Sequence, residues 1–501
     1  MKFDLREAPA PYGWGYNTSR FIPKNSGKID SKNVKNLKLK WAFGFPYSQR
    51  ARSQPLFAMG SIFVGSQSGD IYALDVETGC VKWNFSASAE VRTGIIMDEW
   101  KNGTKPKKRP YIYFGDILAN EYALDAQTGE LIWKIKTDDH PNATRTATSA
   151  KFEDILFVPV SGLEVIPAFN NDYECCTFRG GLLAVEADTG KILWKKYSIP
   201  VPAKYSGTTS VGTRMFGPSG APIWTSPNID KKRRYVYIGT GENYSTPADD
   251  SSDAIIAYNI DTGEEVWRRQ TLAGDAWNLA CMGKGLPNCP EENGPDMDYS
   301  ASSILIDLGD RDILVAGQKS GSVYGINPDN GEIIWSKVVS GGGTQGGIHF
   351  GMASEGDVLY VPLNDMKDTL DGKIWLNRKP GMHSLDTETG NILWSKITDT
   401  ECKEIDINCD PGISAAVTAI PGAVIAGHLD GMIRVYDKDN GDILWSFNSL
   451  GDYESISGTP ASGGSFSGSG PSIRNGYMAI NSGYGIYNHM PGNALLLFTI
   501  D

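Results

Sequence analysis

Two glutamates, a lysine and an asparagine occupy matching places in this chain, each where an apolar run stops at Gly or Pro and polar residues take over. They are Glu164 in "ILFVPVSGLE", Glu242 in "YVYIGTGEN", Lys319 in "ILVAGQKSG" and Asn364 in "VLYVPLND". Carboxylates converging with an ammonium are what a hard cation and an anionic ligand together require. A second oddity follows Glu164 closely: in "ECCTFRG", Cys175 and Cys176 are thiols with nothing between them.

These groups act together only if the fold brings the strand ends to one place. Seven segments share a turn, a Gly, three residues and a Trp: "ALDVETGCVKW", "ALDAQTGELIW", "AVEADTGKILW", "AYNIDTGEEVW", "GINPDNGEIIW", "SLDTETGNILW" and "VYDKDNGDILW". Period-2 alternation precedes each turn and an apolar strand follows it. The Asp-x-x-Thr-Gly or Asp-x-x-Asn-Gly element therefore reads as a hairpin whose Gly supplies the positive φ. The Trp residues recur at intervals of 50 to 73 residues, which suits a four-stranded sheet per unit and hence propeller blades. The sequence predicts an all-β fold in which each Trp docks into the next blade. Residues 34–45, "VKNLKLKWAFGF", and the final strands through "ALLLFTID" lie outside the seven units. Joined, they make an eighth blade, closed by both termini so that no sheet edge is left open. With no linker or low-complexity segment, residues 1–501 are expected to form a single domain. In a ring of equivalent blades Glu164, Glu242, Lys319 and Asn364 converge at one mouth of the channel.

Composition narrows the class. A chain of 501 residues, 40% hydrophobic and rich in Gly and Pro, buries a large core through many short strands. The net charge of -12 argues against a nucleic-acid partner. No run of eighteen apolar residues occurs, so no membrane span is expected, and Met1-Lys2-Phe3-Asp4 does not read as a signal peptide. Cys281 and Cys289 bracket one short loop and Cys402 and Cys409 another, while Cys80 stands alone. With no C-x-x-C zinc pairing and no C-x-x-C-H haem attachment, these pairs read as disulfides. The expectation is an oxidising compartment such as the periplasm, reached through a signal since removed.

The Trp motif with "SGLE", "GTG", "QKSG" and "DMDYS" resembles the PQQ-dependent quinoprotein alcohol dehydrogenases, eight-bladed propellers that bind pyrroloquinoline quinone (PQQ) and calcium. The strings "ARSQP", "VETGC", "ECCTFRG", "GPSGAPIW", "DAWN", "GPDMDYSAS" and "AGQKSG", in that order along nearly the whole chain, look like the polyvinyl alcohol dehydrogenase branch. The resemblance implies Glu164 as a calcium ligand, with Glu242 where many relatives place an Asn, or neighbouring Asn243 in that role. It implies Trp224 beneath the quinone, and Arg92, Thr146 and Ser161, with Gly162 beside it, at the cofactor's carboxylates. Lys319 and Asn364 match groups contacting the quinone oxygens. In methanol-oxidising relatives a vicinal disulfide caps the quinone; the matching place here holds Ser86 and Ala87, so capping by Cys175–Cys176 would come from a different blade.

For the catalytic base, "GDAWNLAC" offers Asp275 and "GPDMDYSAS" offers Asp298; Asp298, followed by Tyr and an apolar strand, is the choice, also adjoining the metal. The Cys281–Cys289 loop is then an insertion at the mouth that faces substrate. Relatives that use lanthanides carry a further Asp two residues after the base, where this chain has Ser300, so calcium is expected. The implied reaction is oxidation of a secondary alcohol, polymeric or bulky, to a ketone: Asp298 takes the hydroxyl proton, hydride passes to the quinone, and Lys319 stabilises the reduced oxygen. A separate cytochrome c is implied as electron acceptor. Two other readings stand beside it. One is the same chemistry on another polyol, sugar or multi-ring alcohol; the other is a non-catalytic propeller scaffold resembling outer-membrane assembly factors, which would not need Glu164, Trp224, Asp298 and Lys319.

Overall fold

Each turn motif joins the third and fourth strands of a sheet. In the first, Oδ1 of Asp75 accepts hydrogen bonds from the amides of Glu77 (3.2 Å) and Thr78 (3.1 Å). Gly79 at φ +70° then returns the chain into the outer strand Val81–Ser86. The computed structural model describes residues 2–10, 13–282, 285–366, 377–398 and 409–500. Their strands form eight antiparallel blades arranged as a propeller. Blades 1 to 7 span residues 56–86, 96–136, 143–197, 228–270, 304–338, 353–397 and 418–448. Blade 8 takes three strands from the end of the chain, Ser472–Arg474, Tyr477–Ser482 and Ala494–Thr499, and its outer strand Lys38–Gly44 from the beginning, with Phe43 opposite Leu495. Both termini close the ring, as the sequence predicts.

The seams between blades explain the repeat. The indole N–H of Trp133 donates to the carbonyl of Ala187 in the next blade (2.8 Å), and its ring lies over Gly190, where a Cβ would stand 2.8 Å from Cδ2. Trp83, Trp194, Trp267, Trp335 and Trp394 dock in the same way. Trp41, on the N-terminal strand, fills the same seat against blade 1 through the carbonyl of Val76. Trp445 differs: the closing blade has no Gly turn motif, and its ring packs edge-on against Phe498 at 5.6 Å. Burial follows the same order, since inner strands such as Ser61–Gly65 are wholly buried while the outer Leu131–Lys136 alternates.

Three additions shape the channel. Residues 13–22 run against the inner strands, with the carbonyl of Thr18 accepting from Leu305 and Asn228 and the indole of Trp14 donating to the carbonyl of Phe350 (2.6 Å). A hairpin, Lys204–Thr208 with Arg214–Gly217, stands between blades 3 and 4. A long connection from blade 4 to blade 5 contains the disulfide Cys281–Cys289. The pairing expected of Cys402 lies outside the described residues. No helix among those described is long and apolar enough to cross a membrane.

Candidate active site

A cavity of about 320 Å³ opens on the propeller axis. At one edge, ligand oxygens of Glu242, Asp296 and Asp298 lie within 4.8 Å of one another, and all three residues are buried. Three loops place them. Glu242 sits in the turn after the strand Tyr235–Gly239, and its amide donates to Oδ1 of Asp298 (2.8 Å). Gly241 is required there, since a Cβ would stand 2.7 Å from that carboxylate. Asp296 and Asp298 precede the short strand Ser300–Ser302, which pairs in parallel with His349–Gly351. Lys319 follows the strand Asp312–Gly317 and reaches Oδ2 of Asp298 at 2.7 Å and Oδ1 of Asp296 at 2.9 Å.

The electrostatics are those of charge gathered out of water. Burial, then repulsion from Asp298 and Asp296, pushes Glu242 well above the usual carboxylate range. Asp296 is raised as well, by burial and by Asp298 against the opposing pull of Lys319. For Asp298 burial acts in the same upward sense, yet the Lys319 ammonium and the hydrogen bonds from Glu242 outweigh it and hold the group below its ordinary value. Burial opposes the charge on Lys319 too, and the three carboxylates overcome it.

Two guanidinium groups, Arg52 and Arg92, line the same cavity. Arg92 donates to the carbonyl of Arg145 (3.3 Å) and to the Thr146 hydroxyl, and makes no ion pair among the described residues. Burial and the nearby charge of Arg52 lower it to about 10. Arg52 shares Glu90 with Arg50. Thr146, Ser161, Gly162 and Trp224 line the cavity too, with the Lys319 ammonium 5.4 Å from the Trp224 ring centroid.

The other expected residues are placed differently. Glu164 does not join the carboxylate group. Its oxygens accept from the Tyr173 hydroxyl (2.9 Å) and from the amides of Thr177 and Phe178 (2.9 and 2.7 Å), holding the loop after the cysteine pair. Asn364 is buried behind His349, 3.5 Å from its ring, and does not line the cavity. Asn243 is spent on the Ser219 carbonyl and Asp249. Cys175 and Cys176 are bonded as a vicinal disulfide; Cys175 faces a second cavity and Cys176 packs in the core with Phe178 and Tyr244. Asp275 accepts the amides of Asp296 (3.1 Å) and Met297 (2.8 Å), so it shapes the loop that carries Asp298. Ser300 donates to the Ile348 carbonyl.

Sequence reasoning missed Asp296, Arg52 and His349. The Asp-x-Asp spacing in "PDMDYS" could have flagged the first, and "ARSQP" contains the second. His349 carried no signal. It is a buried cavity residue whose Nε2 has no partner among the described residues, and burial, then Lys319, lowers it to about 3, which keeps the ring neutral.

The donor set fits PQQ with a cation. The cofactor is a flat aromatic tricarboxylate: an indole suits its face, Arg92, without an ion pair among the described residues, its carboxylates, and three buried carboxylates suit a divalent cation. Unpartnered buried nitrogens of Arg52 and His349 at the cavity mark where a polar ligand is missing its half of the bonds.

Fold and site together define a quinoprotein dehydrogenase class of propeller. The family model for the glucose/ethanol/alcohol dehydrogenase β-propeller domain matches residues 10–282, and that of the outer membrane protein assembly factor BamB matches 319–464. The chain belongs to the PQQ-dependent quinoprotein alcohol dehydrogenases. It is 38% identical to a polyvinylalcohol dehydrogenase of Pseudomonas sp over 98% of this chain and 76% of the relative. To one of Sphingopyxis sp. (strain 113P3) it is 34% identical, over 99% and 77%. Among solved structures, the quinohemoprotein alcohol dehydrogenase of Comamonas testosteroni shares the fold with a TM-score of 0.66 at 18% identity, covering 97% of this chain and 79% of that one. A europium-containing methanol dehydrogenase gives 0.68 at 18% identity, covering 99% of each.

Proposed function

We propose that this protein is a calcium-assisted, PQQ-dependent dehydrogenase of secondary alcohols, including those of polyhydroxylated polymers. The observation that carries the reading is the pairing of Glu242, Asp296, Asp298 and Lys319 in a cavity that Arg92 and Arg52 also line. Bound there, the quinone supplies the hydride acceptor and the cation a Lewis acid.

This chain's residues do the rest. Arg92, Thr146 and Ser161 take up carboxylates at one end of the cavity, and Trp224 orients a flat ligand between them and the acidic edge. Glu242, Asp296 and Asp298 would hold the cation, and Glu164 fixes the neighbouring loop by accepting the amides of Thr177 and Phe178. Asp298 accepts the hydroxyl proton of the alcohol, and Lys319, hydrogen-bonded to it, keeps a positive charge where oxygen gains electrons. The polymeric substrate is supported by 38% and 34% identity to polyvinylalcohol dehydrogenases. An oxidising compartment, the periplasm, is supported by the bonded Cys281–Cys289 pair. Reoxidation falls to a c-type cytochrome separate from these 501 residues, which contain no C-x-x-C-H sequence.

The test is reconstitution. Protein given PQQ and calcium reduces an artificial dye when pentane-2,4-diol is supplied, and binds PQQ in an absorbance titration. Absence of both turnover across a panel of alcohols and PQQ binding would transfer the chain to the scaffold reading.

A further inference from the structure

A second cavity of about 440 Å³ lies beside the first. The two share walls. On the short strand Asn243–Ser245, Tyr244 lines the first cavity and Ser245 the second, as alternate residues of a strand face opposite ways. Across from it, Leu279 and Met282 face the first, while Leu286 and Cys289 face the second. The described residues of the segment bridged by Cys281–Cys289 therefore border both cavities.

The lining of the second cavity has two characters. The hairpin and the strand offer hydroxyls: Ser206, Thr208, Ser210, Ser245 and Thr246. Cys175, Met215, Leu286, Pro287 and Pro290 offer apolar surface, and Glu291 is the one charged residue among the described residues of the lining. Ser206, Thr208 and Ser210, on or beside the hairpin strand Lys204–Thr208, are exposed residues whose hydroxyls bond to no described residue and are free to meet a ligand. A neutral wall of hydroxyls facing a wall of hydrocarbon and sulfur complements a neutral chain that alternates methylene and hydroxyl-bearing carbons.

We infer that this groove binds the flanking units of a polyhydroxylated chain, a poly(1,3-diol), while one of its carbinols occupies the first cavity. The inference rests on the proposed oxidation of alcohols in that first cavity and adds to it a subsite for polymer length. Small diols do not reach the groove; long ones gain affinity from it.

The experiment compares the unaltered protein, loaded with PQQ and calcium, with the variant S206A/T208V/S210A and with Ser206→Trp, which fills the groove. Calorimetric titration with a short polyvinyl alcohol oligomer measures binding, and dye reduction with pentane-2,4-diol measures chemistry. Since the three hydroxyls are exposed and bond to nothing among the described residues, thermal melting is unchanged. Loss of the groove weakens oligomer binding about tenfold in both variants and leaves KM and kcat for pentane-2,4-diol as they were. Equal oligomer binding by all three proteins overturns the inference, and so does a parallel loss with the small diol, which would make these residues part of the first cavity. If no protein oxidises pentane-2,4-diol, the proposed function fails, and the oligomer titrations still decide the groove.

Discussion

The Lys319 ammonium lies 2.7 Å from Oδ2 of Asp298, and both side chains are buried. An ion pair removed from water is stable only while its charges stay matched, and here one ammonium answers three carboxylates, Glu242, Asp296 and Asp298. With all four ionised the group carries minus two, the charge a divalent ion neutralises.

Calcium is therefore expected to outperform lanthanum in turnover at equal free concentration. Lys319→Met leaves minus three at the same place, so lanthanum should gain on calcium by about tenfold or more in a competition titration. An unchanged ratio would show that the lysine's charge does not enter the metal site's balance.

Asp298→Asn keeps the side chain's shape but cannot take a proton. Turnover should fall roughly hundredfold to ten-thousandfold while PQQ still binds by absorbance titration. Asp275→Asn makes the contrast: its amide NH2 replaces one of the acceptors of Asp296 and Met297. That costs about 1–3 kcal/mol of stability, seen as a lower denaturant midpoint, with turnover largely kept. Should Asp275→Asn be inactive with its fold intact, the role of proton acceptor passes to it.

The vicinal disulfide faces the second cavity and the core. Replacing both Cys175 and Cys176 by Ser is expected to leave the PQQ titration unchanged. A loss of cofactor affinity in a variant that melts normally would return the pair to the cofactor's surroundings.

Gly190 has φ +73° and lies under Trp133, whereas Gly212 has φ +90° with nothing near a Cβ. Both Ala substitutions meet backbone strain of about 1 kcal/mol, but Gly190→Ala must also displace the indole, adding about 1–3 kcal/mol. Thermal melting of the pair separates strain from docking; equal losses would remove the steric part.

The ring was legible because its determinants are local. A capped turn, a Gly at positive φ and a Trp four residues on are written in one stretch of chain, and each repeats until the strands left over, residues 34–45 and the end of the chain, can only pair with each other. Strand ends carrying Glu242 and Lys319 are equally local, as is "DMDYS", which is why these residues meet where the repeat placed them. Which way a side chain turns after its strand ends is set by neighbours distant in sequence. Amides of Thr177 and Phe178, brought round by the loop after Cys176, draw Glu164 away from the carboxylates. Asn364 stands behind His349 because Ser300–Ser302 pairs with His349–Gly351 across two blades. Asp275 serves the backbone of Asp296 and Met297 because a disulfide-closed insertion folds back upon it. The sequence by itself determined the blades and the mouth at which their ends gather, through short-range turn and strand patterns. Only the tertiary structure decided which acids share the site, because a buried carboxylate goes where the donors and the opposing charge are, and those come from other blades.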